Sequence, residues 1–346
     1  MADAHQGAVN LDTVPSIAPK GSAIPALQVE NLRVRFRVPG GVLEAVNGVS
    51  FSLYQGETLG LVGESGSGKT VTSLAVLRLL ESPPAEISSG SVLFEGHDLL
   101  QLPERAIADL RGSRISMIFQ EPMTSLNPLL TVGRQIDEVL IRHLGLSARA
   151  ARTRTRELLG FVGIPRADQA ANAYPHQFSG GMRQRVMIAI ALACRPSVLI
   201  ADEPTTALDA TIQAQILRLL ERLQREMGTA ILLITHDLAV IAQTAHRVAV
   251  MYAGRIVETG PVEALFAAPR HPYTQGLLRS IPRIVRTPEP ELPEIPGVVP
   301  DLGDFPAGCA FAPRCAFADE ACRRDKPELL PAGARREVAC WKPRHG

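Results

Sequence analysis

The chain has 346 residues, 46% of them hydrophobic, with 36 basic and 35 acidic residues for a net charge of +1. That length suits one large and one small domain, and the balanced charge gives no polyelectrolyte sign of a nucleic-acid partner. The longest apolar run, Val186 to Cys194, is far short of the roughly 20 residues needed to span a bilayer. With no basic-then-apolar leader at the N-terminus, the expectation is a soluble intracellular protein that would depend on other chains for any membrane span.

Residues 1–25 mix Ala, Gly, Pro and Ser without periodicity and read as a flexible tail. From Leu27 apolar residues alternate (Leu27, Val29, Leu32, Val34, Phe36), with Pro39-Gly40-Gly41 as a turn, which predicts antiparallel strands. The apolar stretch Thr58 to Val62 then leads into Gly63-Glu64-Ser65-Gly66-Ser67-Gly68-Lys69-Thr70 and a helical pattern from Val71. This is the strand, glycine-rich turn and helix N-terminus of a phosphate loop. Its backbone N–H groups and the helix dipole favour phosphate oxygens. Lys69 is suited to the β- and γ-phosphates, and the Thr70 hydroxyl to Mg²⁺.

Further buried strands are expected at Ser116–Gln120, Val198–Ala201, Ala230–Thr235 and Arg247–Tyr252, with mainly helix between Pro128 and Ala173. The strand at Val198 ends in Asp202 and Glu203. One carboxylate fits Mg²⁺ ligation and the other fits polarising an attacking water, although an acidic pair also serves as a helix-capping turn. Gln177 to Arg185 is a polar glycine loop opening into a helix, readable as an anion site or a plain cap. His236 follows the strand at Ala230, where a lone histidine is commonly structural.

The order and intervals of these pieces resemble the ATP-binding subunit of an ABC transporter over residues 27 to about 265, with Ser179-Gly180-Gly181 as the specific element. The resemblance implies an α/β ABC-type P-loop NTPase with a RecA-like core, an antiparallel β-subdomain and a helical subdomain at about 121–180. It implies adenine stacking on Phe36, and phosphate contacts from Gly63, Ser65, Gly66, Ser67, Gly68, Lys69 and Thr70. Mg²⁺ would be held by Thr70, Gln120 and Asp202, with Gln120 ending its strand and coupling to the helical subdomain. Glu203 would be the general base and His236 would hold the γ-phosphate. Leu208 and Asp209 would form a loop crossing a dimer interface. Ser179, Gly180 and Gly181 would serve, in trans, the ATP of a facing subunit. Phe178 and Met182 replace the commoner Leu and Gln of that loop without removing a phosphate donor.

Beyond the cassette, Arg270 to Leu278, Ile295 to Pro300 and Gly308 to Cys315 resemble the C-terminal extension of oligopeptide/dipeptide importer ATPases, a group that includes nickel importers. The strings at 120–128 and 178–185 resemble the same group. The implied organisation is an ATPase domain over 26–265, a proline-rich linker over 266–300 and a cysteine-rich region over 301–346. The implied partners are a second, non-identical ABC ATPase, two transmembrane permeases and an extracytoplasmic binding protein. The implied location is the cytoplasmic face of the plasma membrane. The segment after Gln120 and the residues before Ser179 would form the groove for permease coupling helices.

Four of the five cysteines, Cys309, Cys315, Cys322 and Cys340, lie in the last forty residues. In a reducing compartment such clustering points to metal rather than disulfides. The spacing has no tight zinc knuckle and differs from ferredoxin runs, leaving zinc and iron–sulfur level and unligated thiols as a third reading. The resemblance implies a [4Fe–4S] cluster. The fifth, Cys194, reads as a small buried hydrophobe. Two other functions compete: a soluble ABC ATPase of translation or repair, for which the single cassette without a coiled coil is a poor fit, and a non-hydrolysing regulatory subunit, against which Lys69, Asp202, Glu203 and His236 argue.

Overall fold

Apolar runs bounded by glycine or polar turns form parallel strands when both sheet faces can be covered, and five such runs build the centre of this protein. The computed structural model describes residues 24–121, 125–206, 208–281, 294–300, 305–333 and 335–342. The expected N-terminal tail up to residue 23, part of the 120–128 string and residues 282–293 of the proline-rich linker lie outside the described residues.

The strands are β1 (Leu27–Val38), β2 (Gly41–Leu53), β3 (Thr58–Val62), β4 (Ala85–Phe94), β5 (His97–Asp98), β6 (Ile115–Ile118), β7 (Val198–Asp202), β8 (Ala230–Thr235), β9 (Arg247–Tyr252), β10 (Arg255–Pro261), β11 (Leu330–Pro331) and β12 (Glu337–Val338). The helices are α1 (Lys69–Val76), α2 (Glu104–Leu110), α3 (Val132–Leu144), α4 (Ala148–Phe161), α5 (Ala167–Ala170), α6 (Gly180–Leu192), α7 (Ala210–Met227), α8 (Leu238–Thr244), α9 (Val262–Ala267), α10 (Pro272–Arg279) and α11 (Glu320–Arg324). One antiparallel sheet has the order β2-β1-β4-β5, and a larger mixed sheet the order β11-β12-β10-β9-β3-β8-β7-β6. Within the second, β6, β7, β8, β3 and β9 run parallel.

Side-chain alternation divides the apolar residues of this sheet between two cores. Val62, Leu199, Ala201, Ile231, Leu233, Val248 and Val250 face the helical side. Leu59, Leu61, Val198, Ile200, Leu232, Ile234, Ala249 and Met251 face the antiparallel sheet. At about 1.5–3 kcal/mol for each large apolar side chain buried, these strands are locked in register, since a one-residue slip would exchange the two faces.

The helical subdomain follows the same logic at a different period. Val132, Ile136 and Leu140 recur four apart on α3 and are fully buried, and Thr131 and Ser147 cap α3 and α4 by accepting from Arg134 N and Ala150 N.

Two features depart from the sequence reading. Strand β6 stops at Ile118, so Gln120 lies in the loop beyond the sheet rather than at a strand end. The stretch read as linker holds a helix, α10, whose Tyr273 is fully buried. Proline at its first position is compatible with helix, and His271 caps it through Nδ1, which accepts from Tyr273 N at 3.0 Å. The C-terminal extension also joins the large sheet. Glu258 pairs with Val338 and Thr259 with Glu337, so β12 continues the ladder past β10. Strands of two residues carry no periodic signal and were not legible in the sequence.

This junction is sealed by a buried charge pair. Glu258 is 0% exposed, and its carboxylate accepts from Arg336 at 2.8 Å and from the backbone N–H groups of Arg270 and His271, both at 2.9 Å. Arg336, 5% exposed at its side chain, also donates to Ala264 O at 3.0 Å. Removing one member of such a pair strands the other charge away from water, at a cost of about 3–5 kcal/mol. Arg336→Ala should therefore lower the stability of the full chain by that order, read as an earlier midpoint in urea unfolding; an unchanged midpoint would show that the extension is not tied to the sheet by this pair.

Candidate functional site: a phosphate loop and two carboxylates

Parallel strands point their carboxyl ends to one edge, and in open α/β sheets ligands bind there. Here that edge gathers the loop after β3, Asp202 at the end of β7, Glu203 beyond it, His236 after β8 and Gln120 after β6. Residues spread over more than 170 positions of sequence become neighbours because β3, β8, β7 and β6 are adjacent in the sheet.

The loop is shaped by close backbone approaches. A Cβ on Gly63 would lie 2.1 Å from Met251 O, and one on Gly68 2.6 Å from Ala45 O. Gly68 also has a φ of 98°, a conformation that glycine adopts without penalty. Ser67 is buried, its carbonyl accepting from Gly254 N at 2.9 Å, whereas Ser65 and Gly66 are exposed at the outer turn. Helix α1 starts at Lys69, two residues before the apolar pattern suggested, so Lys69 and Thr70 occupy its first turn. Lys69 Nζ donates to Gly63 O at 2.8 Å and Glu64 O at 2.9 Å. Burial lowers the affinity of this ammonium for its proton, against the opposing charges of Glu203, Asp202 and Glu64.

Thr70 Oγ1 donates to Asp202 Oδ1 and Ser73 Oγ to Asp202 Oδ2, both at 3.3 Å. Burial pushes the Asp202 carboxyl above its usual range, with the Glu203 charge adding to the rise, while the Thr70 and Ser73 bonds pull the other way. A carboxylate oxygen beside a threonine hydroxyl offers hard oxygen ligands of the kind Mg²⁺ takes. Thr70 and Asp202 thus form a compact hard-oxygen set fitting Mg²⁺.

Glu203 stands differently. Its backbone is left-handed, with a φ of 46°, a strained state for a non-glycine residue that recurs at functional sites. Its N–H donates to Ile234 O at 2.9 Å, which fixes that backbone against β8. Its carboxylate accepts from Gln120 Nε2 at 3.2 Å and Thr206 Oγ1 at 2.8 Å, and lies 3.2 Å from His236 Nδ1. Burial raises its proton affinity, but the Thr206 and His236 bonds, with the His236 and Lys69 charges, outweigh that and hold the carboxyl below the ordinary range. Glu203 is thereby held toward its carboxylate form. His236 itself is 60% exposed, poised at the open side.

The remaining expected residues sit elsewhere. Ser179 caps α6 by accepting from Met182 N at 3.4 Å, and Ser179 and Gly180 are exposed. Gly181 is buried where a Cβ would come 2.7 Å from Ile212. Among the described residues no hydrogen bond joins this turn to Lys69, Asp202 or Glu203. Asp209 caps α7, accepting from Thr211 N and Ile212 N at 3.0 Å each. Phe36, half-buried on β1, packs against the antiparallel-sheet core.

The sequence reading missed Ser73 and Thr206. Ser73 is three residues after Thr70 and so on the same helix face, a spacing that could have flagged it. Thr206 follows Glu203 by three in a tight turn and carries no separate sequence signal.

Cys309, Cys315, Cys322 and Cys340 line one small cavity with Phe311 and Trp341. The N–H of Phe317 donates to Cys315 Sγ and that of Lys342 to Cys340 Sγ, both at 3.4 Å. Burial pushes Cys340 up to about 11, and the three other cysteines add to the rise. Among the described residues no three His, Cys, Asp or Glu side chains close around a single ion position.

The family described as ABC transporter matches residues 46–206, and that described as oligopeptide/dipeptide transporter, C-terminal region, matches 257–322. The oligopeptide transport ATP-binding protein OppD of Bacillus subtilis is 53% identical over 315 residues, covering 91% of this chain and 88% of the relative. The dipeptide transport ATP-binding protein DppD of the same organism is 51% identical, covering 91% and 96%. Among solved structures, the dimeric ABC transporter cassette MJ0796 aligns with a TM-score of 0.62 at 28% identity, over 68% of this chain and 98% of that one. With this cassette, this extension and these relatives, the chain belongs to the ATP-binding ATPases of the oligopeptide/dipeptide ABC transporter family.

Proposed function

We propose that this ATPase subunit drives import of di- or oligopeptides, with Glu203 as general base of ATP hydrolysis. The observation that carries the catalytic assignment is the three-sided hold on the Glu203 carboxylate by Gln120, Thr206 and His236. A base that must orient one water gains from being ionised and immobile. Gly63 to Thr70 would cradle the phosphates with Lys69 toward the β- and γ-groups, and Phe36 would stack on adenine. Thr70, Asp202 and Gln120 would hold Mg²⁺, which supplies charge neutralisation on the phosphoryl oxygens. His236, exposed beside Glu203, would meet the γ-phosphate.

Ser179 and Gly180 are exposed at a helix N-terminus, with Gly181 buried behind them, and the hydrogen bonds of this turn lie away from their own chain's loop, which supports their use on the nucleotide of a facing ATPase, with Leu208 and Asp209 at the shared boundary. The dimeric form of the MJ0796 cassette supports the same arrangement. The facing chain would be a related, non-identical subunit.

A wide groove of about 1520 Å³ on the helical subdomain supports docking of two permeases on the cytoplasmic face of the membrane. It is lined by Ser125 and Asn127 after Gln120, by Ala171 and Asn172 ahead of Ser179, and by Glu138, Arg142 and Arg152 between them. Among the described residues no helix is long and apolar enough to cross a membrane. Peptide cargo is supported by the names of the relatives, and an extracytoplasmic binding protein would deliver it; the alternative is a nickel or other small-solute importer ATPase of the same subfamily.

For the cysteine segment the reading is a [4Fe–4S] cluster held by Cys309, Cys315, Cys322 and Cys340. Four thiols on one cavity, two of them accepting backbone N–H bonds, suit thiolate ligands. Zinc on the same four thiols is the alternative. The cluster would staple a segment with little core of its own, since ATP hydrolysis moves no electrons.

Glu203→Gln should bind ATP with near-native affinity and lose hydrolysis by about 100-fold or more; turnover close to native would remove Glu203 from the base role. Affinity purification from detergent-solubilised membranes should bring down integral-membrane subunits and a second ATPase, and recovery of ribosomes or DNA alone would defeat the transport reading. Anaerobically purified protein should be brown and carry iron and sulfide in equal amounts, whereas colourless protein with stoichiometric zinc would overturn the cluster.

A further inference from the structure

The second residue of the phosphate loop is held from outside the cassette. Glu64 receives a two-pronged bond from Arg314, Nη1 to Oε2 at 2.7 Å and Nη2 to Oε1 at 3.0 Å. Its backbone N–H donates to the Tyr273 hydroxyl at 2.8 Å. Its carbonyl accepts from Lys69 Nζ at 2.9 Å and from Ser67 N at 3.2 Å. One residue thus joins the C-terminal extension on one side to the phosphate-binding lysine on the other.

We propose that Arg314 is a positioning residue for the phosphate loop of its own chain, so that the conformation of the cysteine-bearing segment sets how tightly the loop holds nucleotide. Arg314 is no mobile surface cation. Its side chain is 4% exposed, Nε donates to Pro296 O at 2.9 Å and Nη2 to Ile295 O at 3.2 Å. Its guanidinium lies 5.9 Å from the ring centres of Tyr252 and Phe311, within the aromatic layer that also holds Tyr273. A planar fork so fixed sets both the direction and the distance of the Glu64 carboxylate, which a lysine would not do.

The link to the cysteines is a single turn. Arg314 ends the 3-10 turn Ala312–Arg314, in which Ala312 N donates to Cys309 O at 2.9 Å and Arg314 N to Phe311 O at 3.0 Å, and Cys315 follows directly. Cys309 N is in turn bonded to Cys322 O at 2.8 Å. A change in the spacing of Cys309, Cys315 and Cys322 must therefore move the guanidinium. The inference rests on ATP as ligand of the loop and is independent of which metal, if any, the thiols bind.

The competing account is a staple that only keeps the extension attached. Binding of a fluorescent ATP analogue to the full-length protein with Mg²⁺ separates the two. Arg314→Ala should raise Kd about tenfold, the scale of one lost charge-assisted interaction. Arg314→Lys should recover part of that loss. Glu64→Gln, which keeps the shape of the side chain beside Arg314, should weaken binding similarly, and the Arg314→Ala/Glu64→Gln pair should be no worse than either single change. In steady-state assays the loss should fall mainly on KM for ATP. A lowered Tm with unchanged Kd in Arg314→Ala, or additive losses in the pair, would overturn the proposal. If Arg314→Ala does not fold, native Kd in Glu64→Gln overturns it and a raised Kd sustains it.

Discussion

Burial of β3 on both faces is the constraint from which the site follows. A strand with Leu59 and Leu61 in one core and Val62 in the other cannot slide or flip, so its carboxyl end marks a fixed point in space. The chain must then turn beneath Met251 O, where Gly63 has no room for a side chain, and enter α1 at Lys69. Neighbouring β7 and β8 are locked in the same way and deliver Asp202 and His236 to the same edge. Precision at this sheet edge is thus inherited from apolar packing some residues away.

The two carboxylates show how position alone separates similar groups. Asp202 is still within its strand, buried, and its proton affinity is raised; Glu203, one residue on, has left the strand in a left-handed conformation and is kept ionised by donors from three segments. The strain at Glu203 is offset by its N–H bond to Ile234 O and by the Thr206 turn. Two carboxylates with opposite environments therefore arise from adjacent residues because the sheet ends between them.

The C-terminal extension is integrated rather than appended. Its strand β12 lengthens the main sheet, its Arg336 neutralises a fully buried Glu258, and its Arg314 reaches the phosphate loop. Buried ion pairs contribute little net stability yet are costly to break on one side, which suits a connection that must hold a particular geometry. Tyr252, Tyr273 and Phe311 pack with ring centres 4.6–5.4 Å apart and fill the space between cassette and extension.

Much of this was legible in order along the chain. The strands at Ala230 and Arg247 ran as their apolar patterns implied, because a doubly buried strand needs an uninterrupted apolar run and glycines must stand where the backbone approaches itself. The phosphate loop could be named from local chemistry alone, whereas the acidic strand end and the serine-glycine turn took their reading from the order and intervals of all the pieces. Tertiary structure decided what local chemistry does not encode: that Gln120, Thr206 and His236 meet on one carboxylate, that β6 ends two residues short of Gln120, and that a stretch read as linker holds the helix that buries Tyr273. It also decided that Arg314 answers to Glu64, 250 positions away. Pairings of that kind depend on strand order and on which sheet edge remains open for β12, and no periodicity within either segment carries that information.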